Sequence, residues 1–171
     1  MALGTTKVWH LSFVVRDLET VIGNWAELLD VPVPEIMQVP AAEEAPAYTD
    51  DRLGDYTDCR IAVLEMENIK MEFVQPGESE SPWKDFLKKE GEGLQHISFL
   101  VPDAKEAKAA LNEKLGIHDP YHIGFYPDGT YAFYSTKDKL GTELNIKSEE
   151  SNTDLIKRIL ANREKPLSEL Q

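Results

Sequence analysis

Polar and apolar positions alternate through His10-Leu11-Ser12-Phe13-Val14-Val15, and again through His96-Ile97-Ser98-Phe99-Leu100-Val101. A period of two predicts strands, on which residues two apart share a face. His10, Ser12 and Val14 then face one way, while Leu11, Phe13 and Val15 form an apolar side for a helix to cover. Ile97, Phe99 and Val101 repeat that division. An Asp follows each stretch, at 17 and 103, so His, Ser, Phe, Val and Asp recur in register about 86 residues apart. Such recurrence predicts two copies of one unit.

The rest of each copy follows the same plan. After the first strand, Asp17 is placed to cap a helix carrying Val21, Trp25, Leu28 and Leu29 at helical spacing. A short strand is predicted near 33–39. Two more follow at 59–65 and 69–75, separated by the turn-like Glu67-Asn68. Between them residues 40–58, rich in Ala, Glu, Asp and Pro, have weak periodicity and read as a lid or an exposed excursion. In the second copy the helix starts at Asp103, carries Ala107, Ala110, Leu111 and Leu115, and ends at Gly116. Strands are predicted at 121–125, 130–135 and 142–147.

Each copy is thus βαβββ. The predicted fold is α+β, with the tandem units forming a curved mixed sheet around a metal site and the helices outside. The first unit spans 1–76 and the second 94–148. A linker, 77–93, carries a short helix that opens after Ser81-Pro82 and buries Trp83, Phe86 and Leu87. The segment 149–171 holds a last helix with Leu155, Ile159 and Leu160, which lacks a counterpart in the first unit and is expected either to cap the fold or to pair with another subunit, as in a homodimer.

Composition narrows the setting. With 42% hydrophobic residues in 171, the chain is globular and long enough for a real core. A formal charge of -13 argues against nucleic acid or an anionic membrane as partner, without excluding a small anionic substrate. Cys59 is the single cysteine, and no apolar run reaches the roughly 20 residues of a membrane span. The opening residues lack the apolar core of a signal peptide, so a cytoplasmic setting is expected.

Candidate chemistry lies on the last strand of each unit. In Lys70-Met71-Glu72-Phe73-Val74 and Gly141-Thr142-Glu143-Leu144-Asn145-Ile146 the apolar residues mark one face, which turns Glu72 and Glu143 to the face that carries the histidines. One such His or Glu, alone, is more often a hydrogen-bonded or surface residue. Four at matching points of a repeat are different, because carboxylates facing an interior need a partner or a cation. His10, Glu72, His96 and Glu143 are therefore the expected ligands of a divalent metal: Zn, Ni, Co, Mn or Fe. His118 and His122 flank an Asp-Pro turn and read as surface residues.

Over residues 7–147 this pattern resembles the vicinal oxygen chelate superfamily, which includes glyoxalase I, extradiol dioxygenases, bleomycin-resistance proteins and methylmalonyl-CoA epimerases. Within it the stretch Lys70-Met71-Glu72-Phe73-Val74-Gln75-Pro76, then Glu80-Ser81-Pro82-Trp83-Lys84-Asp85-Phe86-Leu87, then Gly91-Glu92-Gly93-Leu94-Gln95-His96-Ile97-Ser98-Phe99 is most similar to the epimerases. The resemblance implies the same four ligands. It also implies a metal-dependent isomerase that removes a proton beside a carbonyl, through a metal-stabilised enolate, and returns it on the other face. Its substrate would be an acyl-CoA or another small carbonyl compound. Glu143 would be one acid–base group. The second would come from the long loop where Glu43 and Glu44 lie, with Glu44 as candidate, although loop charges are ordinarily just solvated. Lys70, Arg60 and Lys84 are the cations available to coenzyme A phosphates.

Glu72 stands where the epimerases often have Gln. It is similar to glyoxalase I in this respect, so a lactoylglutathione lyase is the first alternative. Extradiol dioxygenases use two His and one Glu on iron, against which a fourth ligand counts. The drug-binding proteins of the bleomycin-resistance kind lack the metal set.

Overall fold

In the computed structural model, which describes residues 2–171, the repeat is built as two halves of one ten-stranded mixed sheet. The elements of the first half are β1 (Val8–Val14), α1 (Leu18–Leu29), β2 (Ile36–Gln38), β3 (Ala47–Thr49), β4 (Arg52–Gly54), β5 (Arg60–Glu65) and β6 (Lys70–Gln75). A linker helix α2 (Pro82–Glu90) leads to β7 (Gly93–Leu100), α3 (Ala104–Leu115), β8 (His122–Tyr126), β9 (Gly129–Tyr134), α4 (Lys137–Leu140) and β10 (Glu143–Glu149). A final helix α5 (Thr153–Leu160) and a 3-10 turn (Leu167–Glu169) complete the chain.

The helix boundaries have local causes. The Asp17 carboxylate accepts from Thr20 N at 3.0 Å, and Asp103 does the same for Glu106 N at 2.9 Å. Each satisfies an amide that the first helical turn leaves open. Ser81 caps α2 ahead of Pro82, and α3 stops at Gly116, which takes the left-handed φ of 67°.

The strand order is β2-β5-β6-β1-β7-β10-β9-β8-β3-β4. β1 and β7 run antiparallel at the centre, with β6 parallel to β1 on one side and β10 parallel to β7 on the other. The order is therefore the same outward from the centre in both halves. α1 and α3 cover the outer face, whereas Trp83 of α2 packs against Phe133 and His122 on the inner face. Leu18, Ile22 and the β-strand residues Ala62, Leu64, Met71 and Phe73 form one core, and Ala107, Leu111, Ala132, Tyr134, Leu144 and Ile146 the other. Full burial of a large apolar side chain contributes about 2 kcal/mol.

The segment 40–58 departs from both sequence expectations for it. It holds a β3–β4 hairpin that crosses to the far edge of the sheet, where Thr49 pairs with His122 and Ala47 with Gly124. Its two-residue turn, Asp50-Asp51, has φ of 49° and 63°, the doubly positive geometry whose twist matches a hairpin. A hairpin of the first unit thus extends the second. Among the described residues no helix is long and apolar enough to cross a membrane.

Candidate metal centre

The pairing at the centre brings the two histidines together. On β1 and β7, His10 lies opposite Ser98 and Ser12 opposite His96. The imidazoles reach across that diagonal on the inner face until their Nε2 atoms are 3.0 Å apart. On β6, Glu72 lies beside Ser12. The Ser12 hydroxyl donates to Glu72 Oε1 at 2.9 Å, and the same oxygen stands 3.9 Å from His10 Nε2. Donor atoms of His10, Glu72 and His96 all lie within 4.8 Å of one another.

These groups have the protonation state and orientation that a metal ligand needs. His10 is 4% exposed and His96 1%. Burial drives His10 down to about 4 against the opposing pull of Glu72, and pushes His96 well below the usual imidazole range, so both are neutral near pH 7. Gln95 Nε2 donates to Pro82 O, which turns Gln95 Oε1 toward His96 Nδ1 at 3.1 Å. The proton of His96 is then on Nδ1 and the Nε2 lone pair faces the cluster, as in metal-bound histidines oriented by a second hydrogen bond. Two nitrogens bound at right angles to one ion, each at about 2.1 Å, stand about 3.0 Å apart, so the observed spacing fits a shared cation.

Asn145 completes the picture. Its Nδ2 donates to His96 Nε2 at 3.3 Å, while its buried Oδ1 has no partner. An orphaned buried oxygen is costly, and a half-turn of the amide presents it to the cluster as a fourth oxygen donor.

Glu143 is not brought to this cluster. In β6 the residue beside His10 is Lys70 and the one beside Ser12 is Glu72, whereas in β10 the residue beside His96 is Glu143 and the one beside Ser98 is Asn145. The counterpart of Glu72 is thus Asn145, and Glu143 matches Lys70. A two-residue offset preserves the face but moves the carboxylate about 6.6 Å along the strand. Glu143 Oε2 accepts from Thr136 N at 3.1 Å, and its carboxyl, half-buried, is raised above the usual range by burial. It lines a cavity of about 290 Å³ with Tyr121, Gln95 and Lys137. Glu43 and Glu44 are both exposed; Glu43 pairs with Arg163, and Glu44 faces α5. Lys70 and Arg60 pair with Glu65 and Glu19, and Lys84 lies beside Glu80.

The inner face also carries a residue that the sequence reading did not single out. Lys147, two beyond Asn145 and opposite Tyr131, is a cation whose charge acts on Glu72 and both histidines. His122 is fully buried rather than at the surface. The β3 hairpin covers it, and Thr49 Oγ1 hydrogen-bonds both His122 Nδ1 at 2.8 Å and the Tyr56 hydroxyl at 2.6 Å. His122 Nε2 reaches the Tyr131 hydroxyl at 3.2 Å. Tyr131 lies flat over Gly124, where a Cβ would stand 2.2 Å from its ring. Asn145 lies beside Ser98 as Glu72 lies beside Ser12, a register that comes from the strand pairing.

A sequence model of the glyoxalase/bleomycin resistance protein/dioxygenase superfamily matches residues 9–133. A Bacillus subtilis protein described as uncharacterised, YqjC, is 35% identical over 54 residues, 32% of this chain and 39% of that protein. Among solved structures, methylmalonyl-CoA epimerase from Mycobacterium tuberculosis superposes with a TM-score of 0.57 at 18% identity, over 90% of this chain and 94% of the other. A hypothetical protein from Bacillus halodurans gives 0.59 at 20% identity, over 85% and 95%. A variant of the Streptomyces coelicolor epimerase, in complex with 2-nitronate-propionyl-CoA, gives 0.57 at 18%, over 85% and 99%. Likeness at these identities establishes the fold.

Proposed function

The chain belongs to the glyoxalase/bleomycin resistance protein/dioxygenase superfamily, and from that premise we propose that it is a divalent-metal isomerase of the methylmalonyl-CoA epimerase type. The observation that carries this reading is the pair of neutral histidines with Nε2 atoms 3.0 Å apart beside the Glu72 carboxylate. His10, His96 and Glu72 would hold the ion, with Asn145 Oδ1 as a further donor. When bound, a divalent cation polarises a substrate carbonyl and acidifies the neighbouring C–H.

The chain's own groups have separate tasks. Gln95 keeps the His96 lone pair directed inward, and Ser12 holds the Glu72 carboxylate in place. Lys147 carries positive charge toward the substrate, where it favours the negative charge that develops as the proton leaves. Glu143, beside His96 in register and raised by burial, is the candidate for one acid–base group, which takes the proton on its own face, while return to the opposite face falls to a second proton carrier. An acyl-CoA is the proposed substrate.

The test is elemental analysis of chelated and reloaded protein, alongside NMR detection of solvent deuterium entering the α-carbon of methylmalonyl-CoA. One ion per chain with exchange, both lost in His96→Ala, is the expected result. Exchange into the methylglyoxal–glutathione adduct instead would make it a glyoxalase, and absence of metal after reloading would sink the proposal.

The position of Glu143 favours a second reading. Two histidines and one carboxylate are the donor set of non-haem Fe(II) oxygenases. Ring opening of catechol by the Fe(II)-loaded protein in air, with no thioester exchange, would select it.

A further inference from the structure

The outer face of the second half holds a cavity of about 540 Å³ that the chemistry of the histidine cluster does not use. Its floor is Ile123, Phe125, Ala132, Tyr134 and Ile146. These alternate along their strands with His122, Phe133 and Asn145, so the sheet itself separates this cavity from the inner face. α3 covers only part of this surface. Leu155 of α5 and Leu167 of the 3-10 turn form another wall, held in place where Ser168 donates from its amide and hydroxyl to Asp51 at 2.9 and 2.6 Å. The first half has no corresponding C-terminal segment.

Two observations define what would fit. Tyr48 forms part of the wall, is 1% exposed, and its hydroxyl has no hydrogen-bond partner; a buried phenol normally has one. The charges at the rim are also unequal in their commitments. Asp51 is taken by Ser168, Asp119 by Lys108 and Glu150 by the Ser148 hydroxyl. Lys105, exposed on the first turn of α3, has no acidic partner among the described residues.

We propose that this cavity binds a small amphipathic anion, its apolar body on the sheet, its acid group toward Lys105 and an acceptor atom toward the Tyr48 hydroxyl. The volume is within the range of small-molecule sites. The probe is 8-anilinonaphthalene-1-sulfonate, an apolar double-ring body with one sulfonate, titrated into the full chain by fluorescence and calorimetry.

Saturable one-to-one binding is expected. Ala104→Trp, at the rim, should weaken it by about tenfold or more through occlusion. Tyr48→Phe removes only an unpartnered hydroxyl, so the fold is retained, and should weaken binding about threefold or more. Lys105→Glu should weaken it similarly and guards against misfolding of the tryptophan variant. His96→Ala should leave the affinity unchanged. No saturable binding, or an affinity in Tyr48→Phe and Lys105→Glu unchanged from that of the parent protein, overturns the proposal.

Discussion

Gln95 shows how much of the candidate centre depends on a residue outside the donor set. Its amide is fixed at one end by Pro82 O, and at the other it determines which nitrogen of His96 carries the proton. Gln95→Leu leaves the donor set intact but frees the imidazole to turn or change tautomer. Zinc affinity is expected to fall by about 10- to 100-fold, read by competition with a chromogenic chelator. An unchanged affinity would mean that packing alone orients His96. Asn145 carries a related lesson about reading sequence. The face of Glu143 was legible, because side chains alternate with a period of two. Its position along the strand was not, since Asn145 shares that face and only the pairing of β7 with β10 separates them.

At the level of elements, α1, α2, α3, α5 and the long strands were legible from caps or apolar spacing, whereas the four-residue α4 was not. The hairpin at 47–54 was not. Its strands are three residues each, too short for an alternation to register, and Asp-Asp is a weak turn signal beside Asn-Gly. The same omission hid His122, whose burial comes from that hairpin. Because Asp50 takes a positive φ, the turn has its own energetic signature. Asp50→Val is expected to destabilise the protein by about 1–2 kcal/mol, since a branched side chain is strained there, while Asp50→Gly should be neutral or mildly stabilising. Urea melts of the two variants measure this, and equal midpoints would rule out the strained turn.

Across the whole molecule, three buried histidines tie stability to pH. His10 is lowered to about 4, His122 to about 3 and His96 also falls, all chiefly through burial. In the unfolded chain each takes up a proton near the ordinary imidazole value of 6.5, so below that pH the unfolded state binds more protons. Stability therefore rises with pH up to about 6.5 and is lost progressively below it. His122 alone accounts for about 2 kcal/mol between pH 6.5 and 4.5. Urea melts in chelator across that range should show the decline, and a flat profile would contradict the buried neutral state. Bound metal should steepen the loss, because its ligands must stay unprotonated.

The crossing hairpin also bears on how such a chain can be recombined. Its halves look like a duplication, yet they are not interchangeable modules, because residues 47–54 serve the opposite half. A chimera that takes 94–171 from a relative but keeps this hairpin would join a native edge to a foreign β8. One that drops the hairpin would leave β8 with open backbone groups and His122 uncovered. Productive crossovers should therefore carry 47–54 together with the second half, and swaps made at the linker alone should give insoluble protein.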